Sequence, residues 1–144
     1  MKPIIRTASV QWKSGSNRST QVINTESGTL NQVHYNLGIP FRENSSTNPG
    51  ELIAAAQAMS FALALSDELH MPASASGKMD TTAAVTLEHL AAGWTIINLH
   101  LNVVATLPKL TQGEFIDATV RAKTSCMVSR LLRANISMTA KLEQ

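Results

Sequence analysis

The most reactive side chain is Cys126, the single cysteine of this 144-residue chain. One cysteine excludes an intrachain disulfide and any zinc site built mainly from cysteine. If a helical turn begins at Cys126, its sulfur sits at the positive end of that turn, where a thiolate is stabilised, with Lys123 and Arg130 near in sequence. The plainer reading is a buried thiol packed as a small hydrophobe. Ser60 is the other candidate nucleophile. Its flanks are Ala58-Met59 and Phe61-Ala62, with no Gly-x-Ser-x-Gly elbow to expose or activate a hydroxyl. It reads as a core hydroxyl bonded back to its own helix. Arg42 and Glu43 are adjacent opposite charges in a polar loop, and Arg42 turned inward would bind an anion. His34, His70, His89 and His100 lack the i, i+4 spacing of a ligand pair and read as scattered rather than metal-binding. Met59 and Met79 read as core filler.

These residues must be positioned by a mixed set of elements. Ala8, Val10 and Trp12 alternate with Ser9, Gln11 and Lys13, which predicts a half-buried strand, and Ser19–Asn24 and Thr29–Tyr35 predict two more. Asn48 as cap, Pro49 at the first helical position and Glu51 three residues after the cap predict a helix start. The helix runs on through Leu52–Leu65 to about His70–Pro72. It is apolar nearly all round, so a second sheet or a partner chain must cover what one sheet leaves open. Val85, Leu87 and His89 alternate in a further strand, Ala91–Gly93 turns the chain, and a long strand follows from Trp94. Its inward face is Ile97, Leu99, Leu101, Val103 and Ala105. Thr111 and Glu114 form a second capping box, opening a helix to about Lys123. A helical turn over Cys126–Leu132 and a strand over Ala134–Leu142 complete a single α+β domain spanning residues 1–144.

Composition narrows the function. Hydrophobic residues make up 44% and charged residues 15%, which excludes disorder and suggests surface hidden by self-association. The formal charge is +2 and the basic residues are scattered, so no nucleic-acid face is expected. The Leu52–Leu65 run is interrupted by Gln57 and Ser60 and is too short for a bilayer. Met1–Ser14 has no long apolar run. The expectation is a cytoplasmic protein with no membrane partner and no cofactor.

Four stretches, in matching order from end to end, resemble the OsmC/Ohr family of thiol-dependent hydroperoxide reductases. They are Gly28-Thr-Leu-Asn-Gln-Val-His-Tyr35, Thr47-Asn-Pro-Gly-Glu-Leu-Ile53, Asp80-Thr-Thr-Ala-Ala-Val85 and Lys123-Thr-Ser-Cys-Met-Val-Ser-Arg-Leu-Leu132. The resemblance implies an intertwined homodimer, in which antiparallel sheets from both chains wrap buried central helices. It also implies a peroxidatic cysteine on the central helix, a glutamate at that helix's start and an arginine from the preceding loop. A second cysteine closes a disulfide that a dithiol partner, a lipoyl group in many members, reduces.

In this chain the peroxidatic position falls on Ser60 and the glutamate on Gly50. Glu51 is adjacent but turned roughly 100° away on a helix. The arginine position falls near Pro40, with Arg42 two residues on; Cys126 matches the second cysteine, with Met127 where a proline often follows. A hydroxyl cannot climb the sulfur oxidation ladder. The first reading is therefore a family member without thiol peroxidase activity that keeps the dimer and an apolar pocket for a small hydrophobic or hydroperoxide ligand. A second is a one-cysteine hydroperoxide reductase, in which Cys126 attacks and an external dithiol resolves. A third is a hot-dog acyl-thioester hydrolase with Glu51 or Asp67 as its carboxylate.

Overall fold

A computed structural model describes residues 1–15, 18–35, 46–72 and 75–143. The chain forms two compact units, Met1–Pro49 and Gly50–Gln144.

In the first unit, β1 (Ala8–Gly15) and β2 (Arg18–Thr25) pair antiparallel from Ala8↔Thr25 to Gly15↔Arg18. The third strand is much shorter than its apolar residues suggest. β3 covers only Val33–His34, paired to Val22 and Ile23 of β2. Residues before it are spent on a turn: Gly28 has φ +76° and Gln32 φ +54°, so extended backbone cannot pass through them. Asn24 fixes that turn, its Oδ1 accepting the Gln32 backbone N–H at 2.8 Å. The alternation of β1 makes a strand, yet Val10 and Trp12 remain exposed on it, which departs from the half-buried strand expected.

The second unit holds the core. Its elements are α1 (Pro49–Glu68), β4 (Lys78–Leu90), β5 (Gly93–Thr106), α2 (Gln112–Ser125), α3 (Met127–Leu131) and β6 (Asn135–Glu143). β4 and β5 form an antiparallel hairpin closed at Leu90↔Gly93, where Gly93 takes φ +108°. β5 and β6 run parallel, from Asn98↔Asn135 to Thr106↔Glu143. That corrects the expectation of purely antiparallel sheets. The connection between these strands contains α2 and α3, long enough to carry the chain back for a parallel crossover. Ile97 departs from its expected face for a related reason. Thr86 pairs with Asn98 while Leu87 pairs with Ile96, so Ile97 is the extra residue of a β-bulge and is exposed.

Leu99, Leu101, Val103 and Ala105 of β5 face Phe115, Ala118 and Ala122 of α2, with Phe61 and Leu65 of α1 in the same core. Each large apolar side chain buried there contributes roughly 1.5–3 kcal/mol. Gly77 holds the approach to β4. Its φ is +140°, and a Cβ there would lie 2.6 Å from the Thr106 carbonyl oxygen.

Both helix ends important to the site are defined by local bonds. α1 stops in a Schellman motif: the Met71 N–H donates to the Ser66 carbonyl at 3.1 Å and the His70 N–H to Asp67 at 3.0 Å. His70 takes the left-handed position with φ +50°. α2 opens with the capping box read from Thr111 and Glu114, both reciprocal bonds being present. The Thr111 backbone N–H, then its hydroxyl, hold the Glu114 carboxyl below its ordinary pKa. A depressed folded value means that this cap is fully effective above the ordinary carboxylate range and is lost as pH falls through the folded value.

α1 is not buried on every side by its own chain. Gly50, Gln57, Ser60, Phe61 and Leu65 lie inward, whereas Met59 is 63% exposed and Leu63 60%. Met59 is therefore not core filler within one chain, while Met79 packs against the core as expected. No helix among the described residues is long and apolar enough to cross a membrane.

Candidate functional site

Only two polar side chains, Gln57 and Ser60, interrupt the apolar run of α1 between Leu52 and Leu65. Three residues apart, they share one face of the helix, and both are buried. What they meet is the junction of α2 and α3. Cys126 ends α2 and precedes α3 with extended backbone (φ −64°, ψ 141°), and its side chain caps no backbone N–H. The early N–H groups of a helix have no partner within it. Ser60 supplies one from across the contact: its Oγ accepts the Val128 N–H at 3.4 Å.

Gln57 reaches the same junction. Its Nε2 donates to Ser129 Oγ at 2.8 Å and lies 3.6 Å from Cys126 Sγ. The Cys126 thiol in turn donates to Ser129 Oγ at 2.8 Å. Ser129 Oγ thus accepts from two neighbours, which engages both of its lone pairs. Gln57 Oε1 is buried without a partner among the described residues. Next to this cluster is a cleft of about 380 Å³ lined by Ser60, Leu63, Ala64, Asp67, Glu68, Ser125, Cys126 and Met127. Glu68 is held by Arg121, whose Nε donates to it at 2.7 Å.

The structure brings Ser60 and Cys126 to one cleft and separates several other candidates from it. The Ser60 hydroxyl accepts from α3 rather than bonding back to its own helix, because an orphan N–H of α3 faces it. Lys123 does not reach the thiol; its Nζ donates to the Ile136 carbonyl at 3.4 Å. Arg130 is exposed in the last turn of α3. Glu51 is exposed on the side of α1 opposite Ser60 and does not line the cleft; Asp67 does. Arg42, Glu43 and Pro40 lie outside the described residues. The histidines are dispersed: His70 ends α1, His89 stacks edge-on with Trp94, and His100 bonds Ser137 and Thr139 across β5 and β6. Sequence reasoning missed Gln57 and Ser129. Their signal was present as two i, i+3 pairs, Gln57 with Ser60 and Cys126 with Ser129, each on a helical segment.

Comparison with known proteins bears on this arrangement. Residues 42–141 match the model of the family described as OsmC-like protein. The peroxiredoxin OsmC of Escherichia coli is 35% identical over 132 residues, covering 92% of each chain, and that of Shigella flexneri matches equally. Among solved structures, an OsmC-like protein from Vibrio cholerae has a TM-score of 0.78 at 13% identity, covering 96% of this chain and 99% of its own. An organic hydroperoxide resistance protein from Elizabethkingia anophelis has a TM-score of 0.73 at 18% identity, covering 99% and 98%. At these identities the structural likeness concerns the fold.

The shared cleft generates a direct test of proximity. Disulfides require Cα atoms about 4.4–6.8 Å apart, which chance rarely supplies. Ser60→Cys treated with one equivalent of organic hydroperoxide is expected to lose both thiols and form an intrachain disulfide with Cys126. Two thiols that stay free in a folded variant would show that positions 60 and 126 do not face each other.

Proposed function

This chain belongs to the OsmC family, a family of peroxiredoxin-like hydroperoxide resistance proteins, and we propose that it is a member without peroxidase turnover. The observation that carries this reading is the Ser60 hydroxyl, which accepts the Val128 N–H beside Cys126 and which the family resemblance sets at the peroxidatic position. Serine there has no route to a sulfenic acid, so the two-cysteine cycle cannot start. Gly50 supplies no carboxylate at the helix start. What remains is the cleft, whose lining of Leu63, Ala64 and Met127 beside the Ser60 and Ser125 hydroxyls suits a small hydrophobic ligand with one polar end, of hydroperoxide or alcohol type.

The one-cysteine alternative has one observation in its favour, that Cys126 lines the cleft. Against it, Cys126 is buried at 3% exposure and no cation among the described residues bonds its sulfur. A dithiol reductant of ordinary size has little access to so buried a sulfur.

We further propose that the active form is the homodimer. Met59 of α1 at 63% and Leu131 at 78% exposure, both outside the cleft lining, are apolar surface that one chain leaves to water. A second copy seated there would cover the open side of α1.

Organic hydroperoxide with excess dithiol, run beside acyl-thioester hydrolysis, separates the functional readings. Turnover near background is expected in both assays. Rapid, saturable peroxide consumption would overturn the proposal, and its loss in Cys126→Ala would establish the one-cysteine reductase. Assembly is read separately by sedimentation at low micromolar concentration. Only dimer is expected, and a folded, soluble monomer would rule out the obligate dimer.

A further inference from the structure

We propose that the cavity at the loop between β5 and α2 binds a small monocarboxylate with an apolar tail, its carboxylate held by Lys109. The cavity shares no residue with the Ser60 and Cys126 cleft, so the site stands whether or not peroxide is turned over.

The chain passes from β5 to α2 through Leu107, Pro108, Lys109 and Leu110. Leu107 belongs to the core at 9% exposure, and Leu110 and Leu142 pack against that core. With Pro108, Lys109 and Glu143, these leucines line a cavity of about 320 Å³ at the core's edge. Small-ligand sites have this size, with mostly apolar walls and a few polar groups that fix orientation. The same four loop residues wall a second cavity of about 130 Å³, shared with Leu69 and Met71 just after α1. The loop is thus bounded by cavity on two sides. An apolar occupant gains dispersion contacts that the chain does not supply there.

Charge selects the ligand class. Glu143 is paired with Lys141 at 2.9 Å. Glu114, near in sequence at the start of α2, is committed to the Thr111 backbone N–H and hydroxyl. Lys109 has no ion pair among the described residues, which leaves it the uncompensated charge of the cavity. Its backbone is also left-handed, with φ +72°. That conformation is costly for a residue with a side chain, and it recurs where function holds the chain in place. An ammonium is a point charge, enough for one carboxylate but not for a dianionic phosphate with no second free cation beside it. Leu107, Pro108, Leu110 and Leu142 then offer the tail apolar surface in place of water.

The test is a methyl NMR titration of the full chain with octanoate, with 1-octanol and octylamine as controls carrying the same tail. Octanoate is expected to shift the Leu107, Leu110 and Leu142 methyls saturably and to leave Leu63 and Met127 unmoved. Both controls should bind at least about tenfold more weakly, as should octanoate to Lys109→Met, since each lacks the charge-assisted bond. Lys109→Gly removes the same charge and relieves the left-handed backbone, so it should raise Tm while losing octanoate affinity. No saturable shift at these leucines, or equal affinity for octanol, would overturn the proposal. So would undiminished octanoate binding in folded Lys109→Met or Lys109→Gly. Shifts that saturate at Leu63 and Met127 instead would place the ligand in the Cys126 cleft and overturn it equally.

Discussion

The site depends on a polar contact between helices that are otherwise held by apolar packing. Gln57 and Ser60 are buried on α1, and Ser129, Cys126 and the Val128 N–H meet them from the α2–α3 junction. Each neutral hydrogen bond contributes only about 1 kcal/mol net, while a buried polar group left alone costs roughly 1–3 kcal/mol. The two helical segments are therefore fixed in register by the cost of misplacement more than by the strength of attraction. A one-residue slip of α1 would bring apolar Ala58 and Phe61 towards groups that require partners.

That constraint explains why the cleft has its composition. α1 turns its amide and hydroxyl towards the junction, and the next turn places Leu63 and Ala64 along the wall. The junction contributes sulfur because Cys126 links two helices through one extended residue, which points its side chain back to Ser129. The β5–β6 crossover is a precondition, since it is the connection that packs α2 against β5 and brings the α2–α3 junction to α1. The hydroxyl at position 60 is part of this arrangement, since it accepts the Val128 N–H of α3.

Much of the fold was legible in the residues. The Thr111 and Glu114 capping box, the Cys126 helical turn and the strand ending at Leu142 follow from short-range patterns, and the structure has them within one or two residues. Failures came where a local pattern was broken by a tertiary or backbone event. The bulge at Ile97 shifts face without changing residue type, and the left-handed Gln32 shortens β3 despite its apolar neighbours. Strand direction was equally hidden, because side-chain alternation is the same in parallel and antiparallel pairs. At the site, Cys126 stood out by residue type and Ser60 through the family resemblance. Gln57 was seen only as an interruption of an apolar run, since the partner that gives it meaning is 69 residues away.

The most direct test of this account is a double-mutant cycle on Gln57→Leu and Ser129→Ala, read by urea unfolding at fixed protein concentration. Each single change strands the other's buried polar group, whereas the double change removes both. The account predicts a double variant less destabilised than the sum of the singles, with a coupling energy of at least about 1 kcal/mol. Additivity within roughly 0.3–0.5 kcal/mol would contradict it, showing that these side chains do not form the contact on which the site is built.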